Sequence, residues 1–140
     1  RRVLDLASGS GLCAIAAMRA GASEATAVDI DRFAVAAIAL NARANGVRMT
    51  TARRDVLDEE PPDADVVLAG DCWYESGFAE RVTPWLRAAH DAGVDVLIGD
   101  PGRRYLPADE LEEIARYEVR TTTELEDLDR KDARVYRFRS

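Results

Sequence analysis

The sequence predicts an α/β protein: a seven-stranded, mostly parallel sheet with helices on both faces and an antiparallel last strand. Three observations lead there. Strand-like apolar runs alternate with segments of helical period along the whole chain, without an internal repeat or low-complexity linker. A glycine turn, Ser8-Gly9-Ser10-Gly11, joins the first apolar run to the first helical pattern. Near the end, two strand-like segments are separated by a short charged stretch with no crossover helix, which implies antiparallel pairing.

The elements follow in order. Val3, Leu4 and Leu6 form a short apolar run that reads as a buried strand. Leu12, Ile15 and Ala16 start a helix over 12–19, and Gly21 can end it. Residues 25–30 make the second strand. Asp31 caps a helix over 32–45 that stops at Gly46. A weaker third strand, 47–53, leads into Asp55-Val56-Leu57-Asp58, and Pro61-Pro62 marks a loop. Residues 65–69 are a strongly apolar fourth strand. The helix after it carries Phe78, Val82, Trp85, Leu86 and Ala89 on one face. Pro84 either kinks that helix or sits in the first turn of a restart capped by Thr83. Residues 94–98 give the fifth strand and Gly99-Asp100-Pro101-Gly102 a loop. A helix is expected over 110–116, then strands over 117–123 and 134–139, with the acidic run 124–129 as a solvated loop between them.

With 140 residues the chain can bury one real core, and 47% hydrophobic with 32% charged residues is a globular composition. No apolar run approaches the roughly 20 residues that span a bilayer, and no signal peptide is visible. The chain opens on Arg1-Arg2 without Met, so the expectation is one catalytic domain over 1–140 that lacks an N-terminal segment. A net charge of −7 argues against a nucleic-acid binder held by phosphate contacts. Cys13 and Cys72 have no metal-like spacing and suggest reduced thiols in the cytoplasm, with Cys13 a small core residue on the first helix. His90 is the single histidine, so neither a metal site nor a Ser-His-Asp triad is expected.

Glycines at the strand–helix junction let a ligand approach the backbone closely, and the amides of a helix start face it. Gly9, Gly11 and Ala14 satisfy the loose dinucleotide pattern G-x-G-x-x-G/A, with Asp29 at a suitable distance for a ribose contact. Asp5 discriminates between cofactors. A pyrophosphate would be repelled by a carboxylate there, whereas S-adenosylmethionine carries an ammonium and a sulfonium that favour one. Its own carboxylate can take helix N-terminal amides. The stretch VLDLASGSG followed by AVDID resembles the first two motifs of the class I S-adenosylmethionine-dependent methyltransferases, whose sheet is Rossmann-like. The resemblance spans the chain. It implies S-adenosylmethionine as cofactor, held by Asp5, Ala7, Ser8, Gly9 and Gly11 at the turn.

In an open parallel sheet, ligands gather where the strands end. Asp29 follows the second strand and would accept the ribose hydroxyls, or else cap the next helix beside Asp31; Ile30 would pack on the adenine or in the core. By the resemblance, Asp55 would accept the adenine amino group and the Val56 amide would donate to the ring; otherwise Asp55 is a loop acid. After the fourth strand stands Gly70-Asp71-Cys72-Trp73-Tyr74-Glu75. The Asn-Pro-Pro-Tyr-like turn of adenine and amide methyltransferases is absent. Asp71-x-x-Tyr74 looks like the D-x-x-Y signature of protein-lysine methyltransferases, and GDCWYE with LIGDPGRRYLP is similar to those acting on the electron-transfer flavoprotein β subunit.

The chemistry suits these residue types. Methyl transfer from a sulfonium is an in-line displacement that needs a positioned, desolvated nucleophile. Asp71, which also borders the cofactor, would bind and orient a lysine ammonium; Trp73 and Tyr74 would wall the channel, although two adjacent aromatics cannot both face inward. Arg103 or Arg104 would grip an acidic substrate surface or remain solvated. The function expected is N-methylation of a protein lysine, with no membrane and no nucleic-acid partner. The alternatives are a ribosomal-protein L11-type or small-molecule N-methyltransferase, a non-catalytic S-adenosylmethionine- or nucleotide-binding module, and an NAD-dependent oxidoreductase.

Overall fold

The structure, a computed structural model, describes residues 1–120 and 130–139. Its strands are β1 (Arg2–Leu6), β2 (Glu24–Asp29), β3 (Thr50–Arg53), β4 (Val66–Gly70), β5 (Asp95–Asp100), β6 (Leu111–Arg120) and β7 (Arg130–Phe138). Its helices are α1 (Leu12–Arg19), α2 (Arg32–Ala44) and α3 (Ser76–Asp91). They form one seven-stranded sheet in the order β3-β2-β1-β4-β5-β7-β6. β1 to β5 are mutually parallel, and β7 lies antiparallel between β5 and β6. The expected seven-stranded, mostly parallel sheet is therefore present, and its one reversed strand is β7.

Strand alternation decides which helix covers which face. Leu4, Leu6, Val67, Ala69, Val96 and Ile98 point to one side and pack with Val82, Trp85, Leu86 and Ala89 of α3. Val3, Ala25, Ala27 and Val66 point to the other and pack with Ala14 of α1 and Ile38 of α2. Small residues on that second face let α1 and α2 sit close to the sheet. Gly11 completes the arrangement. It is the N-cap of α1 at φ 82°, and a Cβ there would lie 3.2 Å from Ile38 Cγ2. Only glycine meets both conditions.

One alternative closes and one expectation changes. Of the two readings of Pro84, the restart capped by Thr83 falls away: α3 runs through Pro84 from Ser76 to Asp91, and Thr83 is an interior residue whose Oγ1 accepts the Trp73 indole N–H at 3.0 Å. Of the segment expected as a helix over 110–116, all but Glu110 forms the first part of β6. Its Leu-Glu-Glu-Ile-Ala-Arg run has good helix propensity, but β7 offers a ladder along all of 111–120. A bulge between Glu113 and Ala115 absorbs the residue that breaks the alternation. Pairing with a whole strand overrides a local preference worth a few tenths of a kcal/mol per residue. Gly99 and Asp100 also belong to β5, where they pair with Val135 and Arg134. The acidic run 124–129 and the tail of the late strand, 121–123, lie outside the described residues.

Candidate active site

The chain runs outward from β1 through β2 to β3, then returns to the other side of β1 as β4 and β5. That reversal makes the carboxyl ends of β1 and β4 the switch point where such sheets bind ligands. A cleft of about 840 Å³ lies there, lined among others by Ala7, Ser8, Gly9, Asp29, Ile30, Asp55, Val56, Asp71 and Tyr74. Its size suits a small-molecule site. Ala7 (φ 50°) and Asp71 (φ 58°), which follow β1 and β4, have left-handed backbones. Such conformations are uncommon for residues other than glycine, and here both lie in the cleft wall.

Asp29 is held from two sides. Its Oδ2 accepts the Gly9 amide and its Oδ1 the Asp31 amide, each at 2.9 Å. It ties the glycine turn to the end of β2 and still lines the cleft. Capping of α2 falls to Asp31, whose Oδ1 accepts the Phe33 amide at 2.9 Å. Ile30 is 65% exposed in the cleft wall, so it is not a core residue. Asp55 accepts the Leu57 amide at 3.1 Å and pairs with Arg81 of α3 at 2.9 Å. The amide and then the guanidinium hold its carboxyl below the ordinary range.

Three of the predicted site residues do not line the cleft. Gly11 serves the packing of α1 on α2. Trp73 is fully buried under α3, which corrects its expected place in the channel wall. Tyr74, next in the chain, is 59% exposed and lines the cleft, 6.2 Å from the ring of Phe78. Asp5, expected to favour a cationic cofactor from beside the turn, does not line the cleft. It is 2% exposed and lies beneath the turn. Its Oδ2 accepts the Ser8 hydroxyl and the Ala14 amide, the latter at 3.0 Å. It thereby fastens turn and helix to β1, with Ser8 between it and the cleft.

Burial raises the Asp5 carboxyl above the ordinary carboxylate value, against the two hydrogen bonds that lower it. The folded state therefore holds this proton more tightly than the unfolded one. Stability must fall as pH rises from about 4 through the raised folded value. In urea unfolding, the stability of wild type relative to Asp5→Asn is expected to drop over that window. A flat difference would show that the carboxylate is not desolvated.

One residue of the cleft escaped the sequence reading. Arg81 bridges Asp55 and Asp58 from α3; its position three after Phe78, on the same helix face, is the signal that could have found it. Arg103, expected to grip a partner or stay solvated, donates its Nε–H to Asp71 Oδ1 at 2.5 Å. Arg104 stacks at 5.8 Å from the Tyr105 ring. Cys13 is exposed, contrary to expectation. Cys72 is buried, and its thiol is pushed up to about 12 by burial and then by neighbouring carboxylates. It stays a thiol at neutral pH. Among the described residues no cluster of His, Cys, Asp and Glu could hold a metal.

A switch-point cleft with a glycine turn, an acid at the end of β2 and an acid–aromatic pair after β4 defines a Rossmann-like α/β domain with a small-molecule site. Residues 1–70 match the family model described as ribosomal protein L11 methyltransferase (PrmA), and the chain belongs to that family. It is 40% identical over 105 residues to the electron transfer flavoprotein beta subunit lysine methyltransferase of Rattus norvegicus, covering 74% of this chain and 41% of that protein. To the protein of the same description from Xenopus laevis it is 34% identical over 143 residues, covering 98% and 58%. The chain thus spans about half the length of these relatives. A solved ribosomal protein L11 methylase from Lactobacillus delbrueckii subsp. bulgaricus shares the fold, with TM-score 0.65 and 19% identity over 99% of this chain and 70% of that one.

Proposed function

We propose that residues 1–140 form one catalytic domain of an S-adenosylmethionine-dependent N-methyltransferase acting on a lysine side chain of a protein. The electron transfer flavoprotein β subunit, named in the relatives, is the first substrate to try. The observation that carries the reading is the juxtaposition of Asp71 and Tyr74 with Asp29 in one cleft. An acid and an aromatic ring suited to an alkylammonium share the cleft with an acid suited to a ribose diol.

S-adenosylmethionine, when bound, supplies a methyl group on a sulfonium and leaves as a neutral thioether. The donor set fits it. Asp29 is fixed by backbone amides and offers carboxylate lone pairs to the ribose hydroxyls. The Ser8 hydroxyl donates its hydrogen bond to Asp5, so its oxygen offers only lone pairs outward, as an ammonium requires. Exposed Ile30 supplies an apolar surface for the base, with Asp55 and Val56 at the adenine edge. Asp71 orients the amine, Tyr74 attracts its cationic form and Phe78 extends the apolar wall. Free Cys13 and Cys72 support a reducing compartment, and we place the protein in the cytoplasm. Among the described residues no helix is long and apolar enough to cross a membrane. The L11-type reading rests on the family model, but Asp71-x-x-Tyr74 favours an alkylammonium target over an amide.

The test is incubation of the protein with labelled S-adenosylmethionine and recombinant flavoprotein β subunit, with the modified residue located by mass spectrometry. Label on a lysine is expected; transfer to L11 and not to the β subunit would replace this reading with the L11 one. A binding prediction accompanies it. Asp29→Ala should weaken S-adenosylhomocysteine roughly tenfold to a hundredfold in calorimetry, from lost charge-assisted hydrogen bonds worth about 1.5–3 kcal/mol. Unaltered affinity would take the ribose away from Asp29.

A further inference from the structure

A carboxylate already paired with a guanidinium attracts a second cation weakly, and Asp71 is so paired. Its Oδ1 receives the Arg103 Nε–H at 2.5 Å, and its amide donates to Gly99 O at 2.8 Å. Arg103 is itself placed. Asp100, 3% exposed at the last position of β5, accepts the Gly102 and Arg103 amides on Oδ1, both at 2.7 Å. Its buried Oδ2 has no hydrogen-bond partner among the described residues and lies 4.0 Å from Arg103 Nε. The guanidinium therefore sits between a buried carboxylate and a cleft carboxylate. Asp71 lines the cleft and Arg103 does not, so the positive charge stands behind the acid.

The arrangement answers a difficulty in methylating an amine. A free lysine ammonium has a pKa near 10.4, and only the deprotonated nitrogen has a lone pair to offer. An unpaired carboxylate in the cleft would bind the ammonium well and for that reason hold its proton on, by about 1–3 pK units at close range. We propose that Arg103 is a positioning residue that neutralises Asp71, so that the cleft holds the target amine through a carboxylate oxygen without stabilising its charged form. The inference rests on the amine-methylation reading above. In the step concerned, an N–H bond of the ammonium breaks, its electron pair stays on nitrogen, and the proton passes to solvent water. Other charged side chains in the neighbourhood are Glu75, which lines the same cleft, Asp100 of β5, which approaches Arg103, and Arg134 of β7 beside Gly102. Arg103 contacts both Asp71 and Asp100, so removing it takes the guanidinium away from both carboxyl groups.

The experiment compares wild type, Arg103→Gln and Arg103→Lys. Binding of n-butylammonium to each protein with S-adenosylhomocysteine, followed by NMR, reads the charge balance without turnover. Arg103→Gln should bind it about tenfold more tightly than wild type, and Arg103→Lys close to wild type. With the flavoprotein β subunit, Arg103→Gln should lower KM, lower kcat at pH 7 about tenfold, and move the rising limb of the kcat–pH profile up by about one unit. Arg103→Lys should restore the profile. Equal n-butylammonium affinities in wild type and Arg103→Gln, or an unmoved pH limb, overturn the proposal. If the affinities differ as expected but wild type methylates no lysine, the charge balance stands and the amine-methylation reading falls.

Discussion

Trp73→Ala should cost about 3–5 kcal/mol of stability, the range for truncating a buried tryptophan. Trp73 is among the largest fully buried side chains of the domain. It belongs to the core between β4 and α3, with Val82, Trp85 and Leu86. Its indole N–H is satisfied by Thr83 Oγ1. Truncation leaves a cavity and strands a hydroxyl that has lost its donor. Against a total of about 5–15 kcal/mol for a typical domain, that loss leaves a substantial unfolded fraction at moderate urea. Trp73→Phe should retain most of the packing and lose mainly the hydrogen bond. If Trp73 walled the substrate channel, Ala would instead leave the urea midpoint in place and reduce turnover alone. That pattern would return it to the site.

The difference between Trp73 and Tyr74 shows where sequence reading stops. Neighbouring positions on a strand face opposite ways, but these two follow Asp71, whose φ of 58° breaks the strand's alternation. After such a turn no periodicity says which ring points inward. Regular elements were legible because their signals were local and redundant. The β1–turn–α1 unit has an apolar run, two glycines and a helical pattern in one stretch. At the start of α2, Asp31 caps as expected. β6 was misread because its pattern is helical over short range and its partner, β7, lies outside the window. Asp5 was rightly singled out as a carboxylate beside the turn, but whether it faces solvent or the underside of Ser8 depends on strand register. In the cleft, Asp29, Asp55, Asp71 and Tyr74 were legible as residues at or just past the ends of strands. Their basic partners were not. Arg81 and Arg103 reach them from α3 and from the loop after β5, across intervals set by sheet order. Asp100 adds a further reason: its burial, invisible in a Gly-Asp-Pro-Gly string, shapes that loop.

Asp71→Asn should reduce kcat for lysine methylation about a hundredfold while S-adenosylhomocysteine binds within about twofold of wild type, a loss of the size seen when a positioned reactant is misplaced. Asparagine is the better substitution because it tolerates the left-handed backbone that Asp71 adopts, whereas alanine there adds a strain of about 1–2 kcal/mol. The change removes the charge that Arg103 balances on the cleft side and leaves that guanidinium with Asp100 as its remaining carboxylate neighbour, so the local field becomes less favourable to the arriving amine's charged form. KM should therefore rise as kcat falls, the reverse of the direction expected for Arg103→Gln. The two variants act on one ion pair from opposite ends, and their opposite effects on KM separate an electrostatic role from a steric one. A rise in KM with kcat preserved would make Asp71 a binding residue only. Turnover equal to wild type in both parameters would remove it from the reaction, and with it the reason for Tyr74 and Arg103 to matter.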